Sequence, residues 1–235
     1  MNVVSVMAHQ DDEMRCLGTM LKCRARGDAL SFITLTDGSK GFIQQPDIAR
    51  EEAARIRHEE MSRLALKVDA RYINLREHDE FLYDTPDLRM RLIEALRLTG
   101  ADLVFTHYHE DYNQDHVTTS SLVRHCAMQA CLPVLPTASK PLARHPAVFM
   151  VEPHGAFQFP ASHFVDISGF EEAKIALLKT HASQEEAMAE MAKTGFDPIC
   201  RRSDWYWGGQ AGCEYAECFA PMPARGANKP YPVLP

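Results

Sequence analysis

Short apolar stretches alternate with longer segments of helical periodicity, and this rhythm limits the chain to very few folds. Residues 2–8 (NVVSVMA) form a valine-rich run ending in polar residues, the pattern of a buried strand. Residues 11–26 then carry Met14, Leu17, Met20 and Leu21 at helical spacing and close on Gly27, a plausible C-cap. The same pair of patterns recurs: strands at 30–35, 70–75 and 102–106, and helices at 47–67, 87–98 and 115–131. Strand and helix joined by connections of a few residues predict a Rossmann-like α/β fold. Its sheet is doubly wound and mostly parallel, with helices on both faces.

Beyond Pro133 the pattern loosens. Residues 148–151 and 164–167 read as strands and 170–180 as a helix, while the proline-rich residues 195–235 suggest a tail wrapped over the core. With no repeat, linker or low-complexity block, residues 1–235 read as a single domain whose core spans about 1–185.

Charge and hydrophobicity narrow the function. Asp and Glu outnumber Lys and Arg by 32 to 25, a net charge of −7 that argues against a general nucleic-acid binder. No apolar run approaches the ~20 residues that span a bilayer, and residues 3–8 are too short for a signal segment. The cytoplasm is the expected compartment. The seven cysteines include no C-x2-C pair, so neither a zinc ribbon nor a redox pair is written here, and reduced, mostly buried thiols are expected.

Two polar clusters stand where chemistry is expected. Ala8-His9-Gln10-Asp11-Asp12-Glu13 follows the first strand, and the stretch from His107 to His116 (HYHEDYNQDH) follows the fourth. In open parallel sheets, ligands bind beyond the carboxyl ends of strands where the strand order reverses, so the two clusters can meet. A catalytic zinc takes three His or carboxylate ligands and leaves a position for water. His9 and Asp12, three apart at a helix entry, can face one point. Asp11 between them is free to act as a base, and a histidine of the second cluster would supply the third ligand. Taken singly, each cluster could instead hold helix caps (Asp11, Asp12, Asp115) and solvated loop histidines. Their pairing on two β–α turns argues against that.

These residues resemble the PIG-L/LmbE-type zinc-dependent deacetylases, which act on N-acetylglucosaminyl groups and related amides. Residues 8–13 (AHQDDE) resemble the family's A-H-P-D-D-E. His107 with residues 111–116 (DYNQDH) resembles H-x-x-x-D-Y-H-x-D-H at the same spacing. Asp166-Ile167-Ser168, Lys174 and residues 181–184 (HASQ) resemble a D-I-S…K…H-x-S-Q segment, and residues 215–219 (YAECF) a late Y-A-E-x-F. The likeness runs from residue 3 to about residue 219.

The resemblance implies His9, Asp12 and His116 as ligands of one Zn2+ per chain, with Asp11 as the base for the attacking water. It implies Asp115 as a residue orienting a neighbouring donor. Arg55, twelve residues before Lys67, stands near where the family often has a substrate-holding arginine, although the sequence around it matches poorly. His181 falls in the H-x-S-Q match and is expected to support the site. Two departures stand out. Gln10 replaces proline, which would loosen the turn or add a hydrogen bond to substrate. Asn113 replaces a histidine, and an asparagine can donate to an oxyanion but cannot shuttle a proton. Protonated Asp11, helped by His107 or His109, is then expected to protonate the departing amine.

The expected substrate is an N-acetylated amino sugar or conjugate, with Trp205 and its aromatic neighbours available to stack on a sugar ring. Relatives often form homo-oligomers, and the same is open here. The rival readings are a metal-dependent phosphoesterase, a dinucleotide-binding protein, a zinc amidase acting on other amides and a silent binding module. The first two are disfavoured by the absence of a P-loop or G-x-G-x-x-G glycine cradle.

Overall fold

The computed structural model describes residues 1–155 and 158–223. Strand β1 (Asn2–Met7) leads through a 3-10 turn at Asp12–Arg15 into helix α1 (Leu17–Ala25). Next come β2 (Ala29–Thr36), a second 3-10 turn at Ser39–Gly41, α2 (Arg50–Lys67), β3 (Arg71–Glu77) and α3 (Pro86–Thr99). The strand β4 (Leu103–Thr106), α4 (Gln114–Gln129) and β5 (Ala147–Val151) complete the alternation. The chain continues as β6 (His163–Asp166), α5 (Glu171–Leu178), α6 (Ala182–Ala192), α7 (Phe196–Ala211) and β7 (Ala216–Pro221).

The seven strands form one sheet in the order β3-β2-β1-β4-β5-β7-β6. The first five are parallel, as the alternation requires, and β7 runs antiparallel between β5 and β6. The expected doubly wound, mostly parallel sheet and single domain are therefore present. Successive residues of a strand face opposite sides, so each central strand feeds two cores. Val3, Phe32, Phe105 and Phe149 pack in the core that includes residues of α1, α2, α5 and α7. Val4, Ile33, Val104 and Val148 pack in the core under α3 and α4. Removing each such side chain from water contributes about 1.5–3 kcal/mol, which holds helices of modest amphipathicity in place.

Local signals set several boundaries. Pro86 opens α3, Thr85 Oγ1 accepts the Leu88 N–H at 3.2 Å, and Gly100 closes the helix at φ 62°. The tail expectation fails. Within residues 195–235, α7 and β7 are regular elements, and β7 is an inner strand rather than a wrapping. Pro198 sits in the first turn of α7, where a missing N–H costs little, and Pro221 stands at the end of β7, so these prolines delimit elements instead of excluding them. Residues 224–235 lie outside the described residues. All seven cysteines are free thiols.

Between β1 and β4 the order reverses: from β1 the chain moves toward β2, from β4 toward β5. The crevice at their carboxyl ends is the switch point, and both polar clusters open onto it.

Candidate metal centre and its cleft

The turn after β1 is built for close placement of carboxylates. Asp11 holds φ 104°, a backbone state that side-chain-bearing residues rarely adopt. Its N–H donates to Glu13 Oε2 at 2.9 Å, and the His9 N–H donates to Asp12 Oδ2 at 2.7 Å. Gln10 is fully buried and ties the turn to the sheet, its Nε2 donating to the Thr36 carbonyl and the Tyr72 hydroxyl, both at 3.3 Å. Gln10 therefore neither loosens the turn nor reaches substrate. Gly38, at φ 66°, passes so close that a Cβ there would overlap the Gln10 side chain.

The turn after β4 ends on α4. Asn113 Oδ1 caps that helix, accepting the Asp115 N–H at 2.7 Å and the His116 N–H at 3.4 Å. Capping turns His116 back toward His9. His116 Nε2 and His9 Nδ1 lie 3.2 Å apart, and Asp12 reaches both rings: Oδ2 is 3.2 Å from His9 Nδ1 and Oδ1 is 3.3 Å from His116 Nε2. The outer nitrogens face other carboxylates. His9 Nε2 is 3.0 Å from Asp79 Oδ1, and His116 Nδ1 is 3.0 Å from Asp111 Oδ2.

That arrangement answers whether the residues fit a cation. With each outer nitrogen protonated and facing a carboxylate, both inner nitrogens would carry lone pairs, directed at each other and at a charged carboxylate. Three electron-rich groups converging in a buried place repel unless a positive charge lies among them. The acid–base balance agrees. Burial alone would lower the His9 pKa, yet the charge of Asp12 and the nearby Asp115 and Asp79 hold it well above the usual value. His116 is likewise pushed up to about 9, burial being outweighed by Asp12 and Asp111. Despite its own burial, Asp12 stays well below the usual carboxylate range beside three imidazoles. The cluster binds positive charge tightly, and two imidazole nitrogens with one carboxylate suit a divalent ion with an open side.

Two overlapping groups, His107–Asp111–His116 and His9–Asp79–Asp115, also bring ligand atoms together. Their donors are already engaged. His107 Nε2 receives the Ala8 N–H at 3.0 Å, and Asp115 accepts the backbone N–H of Glu80 at 2.8 Å and of Leu82 at 3.1 Å. Asp79 accepts the Lys40 N–H at 2.7 Å. Asp115 thus anchors the loop after β3, and it also faces His9 Nε2 at 3.5 Å.

A cleft of about 700 Å³ opens over the cluster, lined by His9, Asp11, Asp12, Asn113 and His116 among others. Asp11 stands beside the candidate ligands, its Oδ1 3.3 Å from Arg57 Nη2. Burial raises the Asp11 pKa to about 6, with Arg57 opposing and Asp12 adding to the shift. With Asn113 Oδ1 committed to the helix, the Nδ2 amide remains the group that Asn113 can offer to the cleft.

Several expected substrate residues stand elsewhere. Arg55 lies on the outer face of α2, paired with Glu52 and Glu59. The buried arginine is Arg57, two residues on and so about 200° around the helix, which donates to the Gln10 carbonyl. Sequence spacing alone could not choose between the two faces. His107 is stacked on His116 at 3.9 Å between ring centroids, and burial with the His116 charge pushes it down to about 4; it supports the ligands from behind. His109 is exposed beside Glu110, and Trp205, 66% exposed, is not among the cleft-lining residues. His181 is fully buried, its Nε2 2.7 Å from Glu13 Oε1, and so braces the first turn without reaching the cleft. Sequence reasoning missed Asp79, Arg57 and His154 as site residues; Asp111 was visible within its motif, but without a role.

Fold and cluster define a Rossmann-like α/β protein with a candidate metal-ligand set at the switch point of its sheet. Residues 4–127, more than half of the chain, match the PIG-L family, described as GlcNAc-PI de-N-acetylase, and the chain belongs to that family. No curated protein sequence matches it. Among solved structures, the N,N'-diacetylchitobiose deacetylase of Pyrococcus horikoshii is similar with a TM-score of 0.81 at 23% identity, over 94% of this chain and 83% of that one. A conserved protein of Thermus thermophilus gives a TM-score of 0.79 at 26% identity, over 97% of both chains. The 4-carboxy-2-hydroxymuconate hydratase of Pseudomonas putida gives 0.80 at 21% identity, over 98% of this chain and 100% of that one.

Proposed function

We propose that this chain is a zinc-dependent hydrolase that removes an N-acetyl or other N-acyl group from an amino sugar or sugar conjugate. The observation that carries the reading is the convergence of His9, Asp12 and His116, with Asp11 beside them in an open cleft. Membership of a family described by a de-N-acetylase, and similarity to a diacetylchitobiose deacetylase, support the same reaction class.

Zn2+ held by His9, Asp12 and His116 would supply Lewis acidity and a water of lowered pKa. Asp79 and Asp111 keep the two imidazoles in the tautomers that ligation needs. Asp11 accepts the proton of the attacking water and returns it to the departing nitrogen, so one carboxyl serves as base and then as acid. The Asn113 amide donates to the carbonyl oxygen as negative charge gathers there. Arg57 holds the Asp11 turn in place.

Incubating the zinc-loaded protein with N-acetylated amino sugars should release acetate, and Asp11→Asn should slow that release about 10²–10⁴-fold while keeping the metal. Acetate release undiminished in the variant would contradict the role of Asp11. A second reading, addition of water to a double bond of a carboxylated substrate, is favoured by one observation. Lys40 lines the cleft, and its ammonium has no partner among the described residues, so it would meet an anionic substrate. Loss of the ultraviolet absorbance of a conjugated dicarboxylate, without acetate release, would decide for it.

A further inference from the structure

Asn113 leaves the site with an amide where a stronger polarising group could stand, and the wall formed after β5 holds one. His154 lines the cleft together with His9, Asp11, Asp12 and His116, and it lies close enough to feel the charges of Asp12 and His116. Its ring is fixed from behind. His154 Nδ1 is 2.9 Å from Arg15 Nη2, and the Arg15 side chain is itself only 11% exposed and held by Glu152 at 3.2 Å. A guanidinium only donates, so Nδ1 accepts, and the neutral ring must carry its hydrogen on Nε2. Among the described residues Nε2 has no partner.

We infer that His154 is a further catalytic residue: a neutral imidazole whose Nε2–H donates to the substrate oxygen that gathers negative charge, with Arg15 as its positioning residue. The inference rests on the hydrolase reading of the same cleft. No proton is transferred by His154; Nε2–H stays on the ring, and Asp11 alone carries the proton from water to the leaving nitrogen. Burial and the Arg15 charge push the imidazole down to about 3, so it stays neutral at the pH where Asp11 can act as a base. A neutral imidazole suits this task, because it polarises a carbonyl without giving up its proton. The bland alternative is a histidine that fills space between Arg15 and the cleft wall.

Three proteins separate these roles: wild type, His154→Phe and His154→Gln. Phenylalanine keeps the ring and removes the donor, while glutamine restores an amide N–H. His154→Phe should lower kcat about 10²–10³-fold with KM changed far less, the size seen when one oxyanion donor is removed. His154→Gln should recover part of the loss, and both variants should bind one equivalent of zinc. A His154→Phe enzyme with kcat near wild type overturns the inference, as does a defect expressed wholly in KM or in zinc content. Nitrogen-15 spectra of the wild-type imidazoles test the geometry without turnover. At neutral pH, His154 should show an unprotonated Nδ1 and a protonated Nε2, and Arg15→Met should abolish that preference. A protonated Nδ1 in wild type overturns the inference on its own. Failure of the hydrolase reading looks different: no acetate from wild type, with the nitrogen spectra still reporting the tautomer.

Discussion

Two buried charge clusters among the described residues are resolved in opposite ways. Under α1, α5 and α7, Lys174 is fully buried, its Nζ 2.5 Å from Asp204 Oδ2 and 2.9 Å from Glu217 Oε1. Glu217 also accepts the Gly18 and Thr19 N–H groups at the start of α1, at 2.9 and 2.7 Å. Glu171, 1% exposed, faces Asp204, and burial with the Asp204 charge pushes its pKa up to about 8. This cluster supplies its own cation, Lys174, and burial keeps the Glu171 carboxyl protonated up to about pH 8. Under the cleft, Asp12, Asp79, Asp111 and Asp115 lie against His9 and His116, while the buried Arg57 faces Asp11 and not these candidate ligands. A buried network that carries its own lysine is a structural clamp; one that lacks a cation and opens on a cleft is a place for a metal ion.

Breaking the cleft cluster should have the largest effect. Asp12→Ala or His116→Ala should remove zinc binding and all measurable hydrolysis, whereas Asp11→Asn should keep the metal and lower kcat about 10²–10⁴-fold. Metal analysis beside steady-state kinetics separates the two outcomes. Lys174→Met should do the reverse, leaving carboxylates uncompensated in the core. Unfolding in urea should show a loss of about 3–5 kcal/mol with zinc affinity unchanged. A Lys174→Met protein that lost zinc but not stability would contradict the distinction between clamp and site.

A smaller effect sharpens the sign of the clamp. Glu171 binds its proton up to about pH 8 in the folded chain, against a usual value of 4.5. The folded state therefore holds one more proton than the unfolded chain between those values, and stability falls as pH rises through that window. Glu171→Gln should flatten this fall, giving a higher Tm than wild type at pH 9 and little difference at pH 5. The smallest effect is expected at Arg55→Ala. Its exposed pairs with Glu52 and Glu59 are worth little, so the urea unfolding midpoint and kcat/KM should both match wild type.

The half of the molecule that forms the switch point was legible because it is written locally. Strand runs β1 to β4 and the helices between them follow period and caps, and the candidate ligands His9, Asp12 and His116, which the structure brings together, sit within two short motifs. What stayed hidden is non-local. Asp79 orients His9 from the loop after β3, and Arg57 holds the Asp11 turn from the inner face of α2; no spacing rule links either to residues 9–12. His154 carries no motif at all, and only its place beside Arg15 on the cleft wall gives it meaning. The helices α6 and α7 and the strand β7 were missed for another reason: polar and proline-rich composition hid regular structure that packing enforces.

The central claim is that the cleft aspartate and histidines await a cation that the protein does not supply. Titrating zinc into metal-free wild type, with the double variant His9→Ala/His116→Ala alongside, tests it directly. The account predicts one tightly bound equivalent in wild type and none at that affinity in the variant. Equal zinc binding by both proteins, or none by either, would contradict it.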